Sequence, residues 1–148
     1  MAAPDLHAIA AAAKATIDAA GVTLDGNPLR VYASEPRDLD RLPAVTIRFQ
    51  SFTRRQPDET EWELGSALWD LTYSLDILAP LDDPARGQEG MRAVLSGVLD
   101  AIDEDPSLGG AAFDAVLGSG EQSFTDDPNL PRQLVVMTCE LRVWARST

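Results

Sequence analysis

Cysteine occurs once in this chain, at Cys139, and histidine once, at His7. A lone thiol excludes an internal disulfide and a thiolate metal cage, and a lone imidazole leaves no partner for a metal site or a proton relay. Bases are also scarce, with 12 Lys and Arg against 24 Asp and Glu and a formal charge of -12. A surface of that sign repels phosphate backbones rather than releasing their counterions, so stable DNA or RNA binding is not expected. No apolar run reaches the roughly 18 residues of a membrane-spanning helix, and residues 1–5 lack the basic and apolar regions of a secretory signal. Internal repeats and low-complexity linkers are missing too. The 148 residues, 45% of them hydrophobic, therefore read as one domain spanning 1–148.

What is present is a sequence of alternating periods. Leu6, Ile9, Ala10, Ala13, Ile17 and Ala20 form a thin helical stripe, opened by Pro4-Asp5 and closed by Gly21. Asp25-Gly26-Asn27-Pro28 marks a turn, and residues 29–33 a short strand before a polar loop ending at Leu42-Pro43. From Ala44 the period becomes two, with Val45, Ile47 and Phe49 opposed to Thr46, Arg48 and Gln50. Residues 53–65 are charged and without period, the expectation being a long exposed hairpin loop. Alternation resumes from Trp69 to Ile77, and Asp83-Pro84 starts a helix whose stripe is Met91, Val94, Leu95, Val98, Leu99 and Ile102. Asp105-Pro106 ends it. The signal from 108 to 120 is weak, a short strand or helical turn before a Gly118-Ser119-Gly120 break, and Val135 to Ala145 alternate as a final long strand. The fold class is α+β: an antiparallel or mixed sheet with an N-terminal helix and one long amphipathic helix packed on one face.

The chain offers no convergent chemistry. His7 falls in the first helical turn, where a surface histidine is the ordinary reading, and Cys139 lies on the apolar parity of a strand, where a neutral buried thiol is usual. The glycines fit neither a phosphate loop nor a G-x-S-x-G elbow. Asp100, Asp103, Glu104 and Asp105 lack the spacing of a calcium loop and read as a solvated helix end. No catalytic residue, metal site or cofactor is assigned, and the chain reads as a non-enzyme. The unusual feature is the second sheet face, which is either wet or packed against another subunit, with Arg142 and Trp144 as contact residues and Trp144 as anchor. The loop carrying Arg54, Arg55, Glu61 and Trp62 is a second docking candidate.

The Ala-rich opening helix, the segment RVYASEPRDLDRLPAVTIRF, the strand, break and helix of WDLTYSLDILAPLDDPARGQEGMRAVLSGVLDAID, and the closing LPRQLVVMTCELRVWAR together resemble phage tail terminators and related tail-completion proteins. The likeness covers nearly the whole chain and rests on layout and on the Val31-Tyr32 and Leu42-Pro43 phrases. It implies a structural virion protein of a long-tailed phage, assembling in the host cytoplasm and residing at the head–tail junction. Such a subunit forms a homo-oligomer, a hexameric ring, that caps the tail tube protein, stops its polymerisation and meets the head connector or stopper. The resemblance also implies a channel through which DNA passes without specific binding. Arg54, Arg55, Glu61 and Trp62 would then make ring or tube contacts. Alternatives are a head-side connector component, a small cytosolic ligand-binding α+β domain using the open sheet face as a pocket, and an acidic adaptor holding a basic partner.

Overall fold

The computed structural model describes residues 3–34, 41–54, 68–81, 84–125 and 133–147. Helix α1 (Leu6–Ala19) starts where the sequence places it, because the Asp5 carboxylate accepts the Ala8 amide at 3.0 Å and satisfies one of the unpaired N-terminal donors. It ends at Gly21, whose φ of 64° supplies the left-handed residue after the cap. Asp25 and Gly26, with φ of 51° and 81°, form the tight turn of a hairpin between β1 (Thr23–Leu24) and β2 (Asn27–Pro28). Sequence reading found this turn but not the two-residue strands flanking it.

Five further strands build one sheet: β3 (Arg30–Tyr32), β4 (Ala44–Arg54), β5 (Leu68–Pro80), β6 (Asp114–Phe124) and β7 (Leu134–Arg146), in the order β3-β4-β5-β7-β6. β3 runs parallel to β4 and every other pairing is antiparallel, so the expected α+β class is observed with a mixed sheet. β7 has a neighbour on each side, as its strong alternation predicted. β4 continues to Arg54, past the point where the charged loop was expected to begin, because cross-strand partners on β5 carry it on as far as Trp69.

The core lies on one face. Val45, Ile47, Leu71, Tyr73, Leu75, Ile77, Val135, Leu141 and Val143 are buried there against α1 and against α2 (Pro84–Glu104). α1 contributes Ile9, Ala10, Ala13 and Ile17, and the Tyr73 hydroxyl donates to the Leu6 carbonyl at 2.8 Å, tying the central strand to the helix start. α2 buries Met91, Val94, Val98 and Ile102 completely, while Leu95 and Leu99 are only half-buried toward β6. Its other flank is made of glycine: a Cβ on Gly97 would stand 2.7 Å from Val22 Cγ2, and one on Gly90 2.9 Å from Leu24 Cδ1. These glycines let the β1–β2 hairpin approach the helix more closely than any side chain would allow.

Two local readings need correction. The weak stretch before Gly120 belongs to β6, an 11-residue strand that runs through Gly118-Ser119-Gly120 instead of breaking there. A register shift between Leu117 and Ser119 absorbs Gly118, and Gly120 faces the sulfurs of β7, where an added Cβ would lie 3.0 Å from Cys139 Sγ. The acidic end of α2 is only partly a solvated patch: Asp105 accepts the Ser107 hydroxyl at 2.7 Å and the Gly109 amide at 2.9 Å, shaping the turn that buries Leu108.

Candidate interaction surfaces

Neither described helix packs on the second sheet face. Alternation places Arg48, Asp70, Thr72, Ser74, Asp76, Thr138, Glu140, Arg142 and Trp144 on it. Two diagonal ion pairs lace β5 to its neighbours: Arg48 Nη2 donates to Asp76 Oδ2 at 2.9 Å toward β4, and Arg142 Nη2 donates to Asp70 Oδ2 at 2.5 Å toward β7. The hydrogen bond and charge of Asp70 raise the Arg142 pKa above its ordinary value, with Glu140 adding to the rise. Solvent screens these half-exposed pairs, so they orient side chains more than they stabilise the fold. Asp76 Oδ1 is closed off from water without a hydrogen-bond partner, so one oxygen of this carboxylate carries the whole pairing.

Trp144 lies on this face, half-buried, with the Arg142 guanidinium 5.0 Å from its ring centroid. The expected anchor is therefore partly covered by its own neighbour, and the two residues form one cation–aromatic unit. Arg54 is not part of it. A register shift between Phe49 and Ser51 leaves Gln50 unpaired and puts Phe49, Phe52 and Arg54 opposite Tyr73, Leu71 and Trp69, on the helix-bearing side of the sheet. There Arg54 stacks 5.3 Å from the Trp69 ring, Phe52 packs on Trp69 at 5.7 Å and Phe49 meets Tyr73 edge-on at 5.6 Å. Arg55, Glu61 and Trp62 lie outside the described residues. Of the predicted contact residues, then, Arg142 and Trp144 come together and Arg54 sits on the opposite face.

Sequence reading missed where large apolar side chains are left in water. Phe49 (42% exposed), Phe52 (59%), Phe113 (60%), Val116 (38%) and Phe124 (49%) all belong to β4, to β6 or to the residue just before it. The spacing of three between Phe49 and Phe52, which strict alternation cannot put on one face, was the available signal for the bulge.

Concavities are shallow. An apolar one of about 240 Å³ lies between α2 and β6, lined by Leu95, Leu99, Leu117 and Met137, and a polar one of about 380 Å³ opens on the second face beside Ser74, Glu121, Thr138 and Glu140. No cavity described joins Asp76, Arg142 and Trp144, the trio a ligand pocket on this face would use. Cys139 is buried, and burial, with Asp76 adding, pushes its thiol up to about 11, away from nucleophilic use. His7 is exposed on α1. Among the described residues no cluster of His, Cys, Asp and Glu is placed to hold a metal, and no helix is long and apolar enough to cross a membrane. No protein-family model matches this chain, and no curated protein is significantly similar to it.

Proposed function

We propose that this protein is a non-enzymatic ring subunit of a virion, the tail terminator of a long-tailed phage, which caps the tail tube and offers its other side to the head connector. The observation carrying this reading is the placement of exposed apolar side chains. A monomer that worked alone would gain little from exposed phenylalanines on β4 and on β6, at opposite edges of its sheet, whereas a subunit flanked by other chains would bury them. The laced second face supports it as well, since two ion pairs and the Arg142–Trp144 contact orient its side chains in a way suited to protein contact. The charge of -12 suits a channel wall along which DNA slides without sticking.

The test is to mix the purified chain with a phage tail tube protein and to follow tube growth by light scattering and electron microscopy. Tubes that stop short and carry a ring at one end are the expected result. A protein that stays monomeric, leaves tube length unchanged and instead binds portal complex in a pull-down would move the assignment to a head-side connector component.

A further inference from the structure

Among the described residues two strand edges of the sheet are open. β6 is the last strand in the order and pairs only with β7, while on the other side β3 stops at Tyr32, opposite Thr46, leaving residues 47–54 of β4 without a strand on their outer side among the described residues. Open edges are normally blunted by lysine, proline, shortness or bulges, and each of these edges carries one bulge. These are long, neither strand contains proline or lysine, and they hold the exposed Phe49, Phe52 and Phe124. On the second face their charges are opposite: β4 carries Arg48, which also pairs with Asp76, and no acid, whereas β6 carries Asp114 and Glu121 and no base. Arg54 lies on the other face. Direction also agrees. β4 and β7 point the same way because each is antiparallel to β5, and β6 runs against β7, so a second copy placed alongside in the same orientation sets its β4 antiparallel to β6.

We propose that copies of this chain join head to tail by antiparallel pairing of the outer edge of β6 with the outer edge of residues 47–54 of β4, continuing the sheet from subunit to subunit. Main-chain hydrogen bonds supply the affinity, and Phe49 and Phe52 meet the apolar side chains of the neighbouring β6. Opposite charge sets the polarity of the contact within a chain whose net charge otherwise repels its copies. Because the two patches differ, the contact is heterologous and closes a ring only if the rotation per subunit returns to the start. That closure rests on the ring reading above, while the edge pairing stands apart from it.

Single-cysteine variants in a Cys139→Ala background test it, with Ser51→Cys on β4 and Ser119→Cys or Ser123→Cys on β6, each position exposed. Under mild oxidant, with and without tube protein, mixing the β4 variant with a β6 variant should give a covalent dimer that neither gives alone. Arg48→Glu and Glu121→Arg, both on the second face, should each weaken self-association in sedimentation by about tenfold, and an equimolar mixture of the two should recover part of the loss. Circular dichroism confirms that each variant is folded. Dimers of a β6 variant alone, or no cross-link in any mixture, would overturn the edge pairing. Rings seen by microscopy without cross-links would discard the edge contact and leave the ring reading, whereas cross-links in chains that never close or cap a tube would do the reverse.

Discussion

Among the described residues, Tyr73 and Cys139 are the two titratable side chains whose pKa burial raises. Burial, with Asp5 adding, raises the Tyr73 phenol from 10.0 to about 12, and burial, with Asp76 adding, raises the Cys139 thiol from 9.0 to about 11. Both are acids held neutral in the folded state, so the unfolded chain releases their protons first as pH rises. The stability they contribute is complete below about pH 9 and is lost on the way to about pH 12, by about 2 to 3 kcal/mol for each group. Thermal melts from pH 7 upward should show this fall. Cys139→Ala should flatten its lower part and Tyr73→Phe its upper part, and Tyr73→Phe should also remove about 1 kcal/mol at neutral pH with the hydrogen bond to Leu6. A melting temperature that stays level across this range in the native sequence would refute the assignment.

At the scale of elements, α2 combines a strong apolar stripe with glycines that look unfavourable for a helix. Gly97→Ala should improve helix propensity by about 1 kcal/mol. It should nevertheless lower stability overall, because the new methyl meets Val22 at 2.7 Å and overpacking typically costs about 1 to 3 kcal/mol. Adding Val22→Ala should recover stability relative to Gly97→Ala alone, a coupling that a double-mutant cycle by urea denaturation would read. Additive effects would show that the hairpin does not press on the helix. β6 is the opposite case, an element hidden by its composition. Gly118 and Gly120 resemble punctuation in one dimension, and only the bulge against β7 and the two sulfurs beneath Gly120 explain a strand there.

For the whole molecule, the acidic balance gives a direct expectation if DNA is to slide past this protein. Double-stranded DNA should not be retained on the immobilised chain at roughly 0.15 M salt, where the screening length is about 8 Å. Retention at that ionic strength would contradict a passive channel wall. The same charge opposes self-association, so any ring must form through local surfaces strong enough to override it, and among the described residues the outer edges of β4 and β6 are where apolar area, strand edges without a neighbour and opposite charge coincide.

The sequence by itself determined the α+β class, the capped start of α1, the long α2 and the strong alternation of β5 and β7, because each depends on periods and local hydrogen bonds carried within a few residues. It also brought Arg142 and Trp144 onto one face, two residues apart on a strand. Only the tertiary structure decided the parallel docking of β3, the bulges in β4 and β6, and the separation of Arg54 from that pair, since register and bulge position are settled by what lies across the sheet. For the same reason the strand edges that lack a neighbour among the described residues could not be seen along the chain.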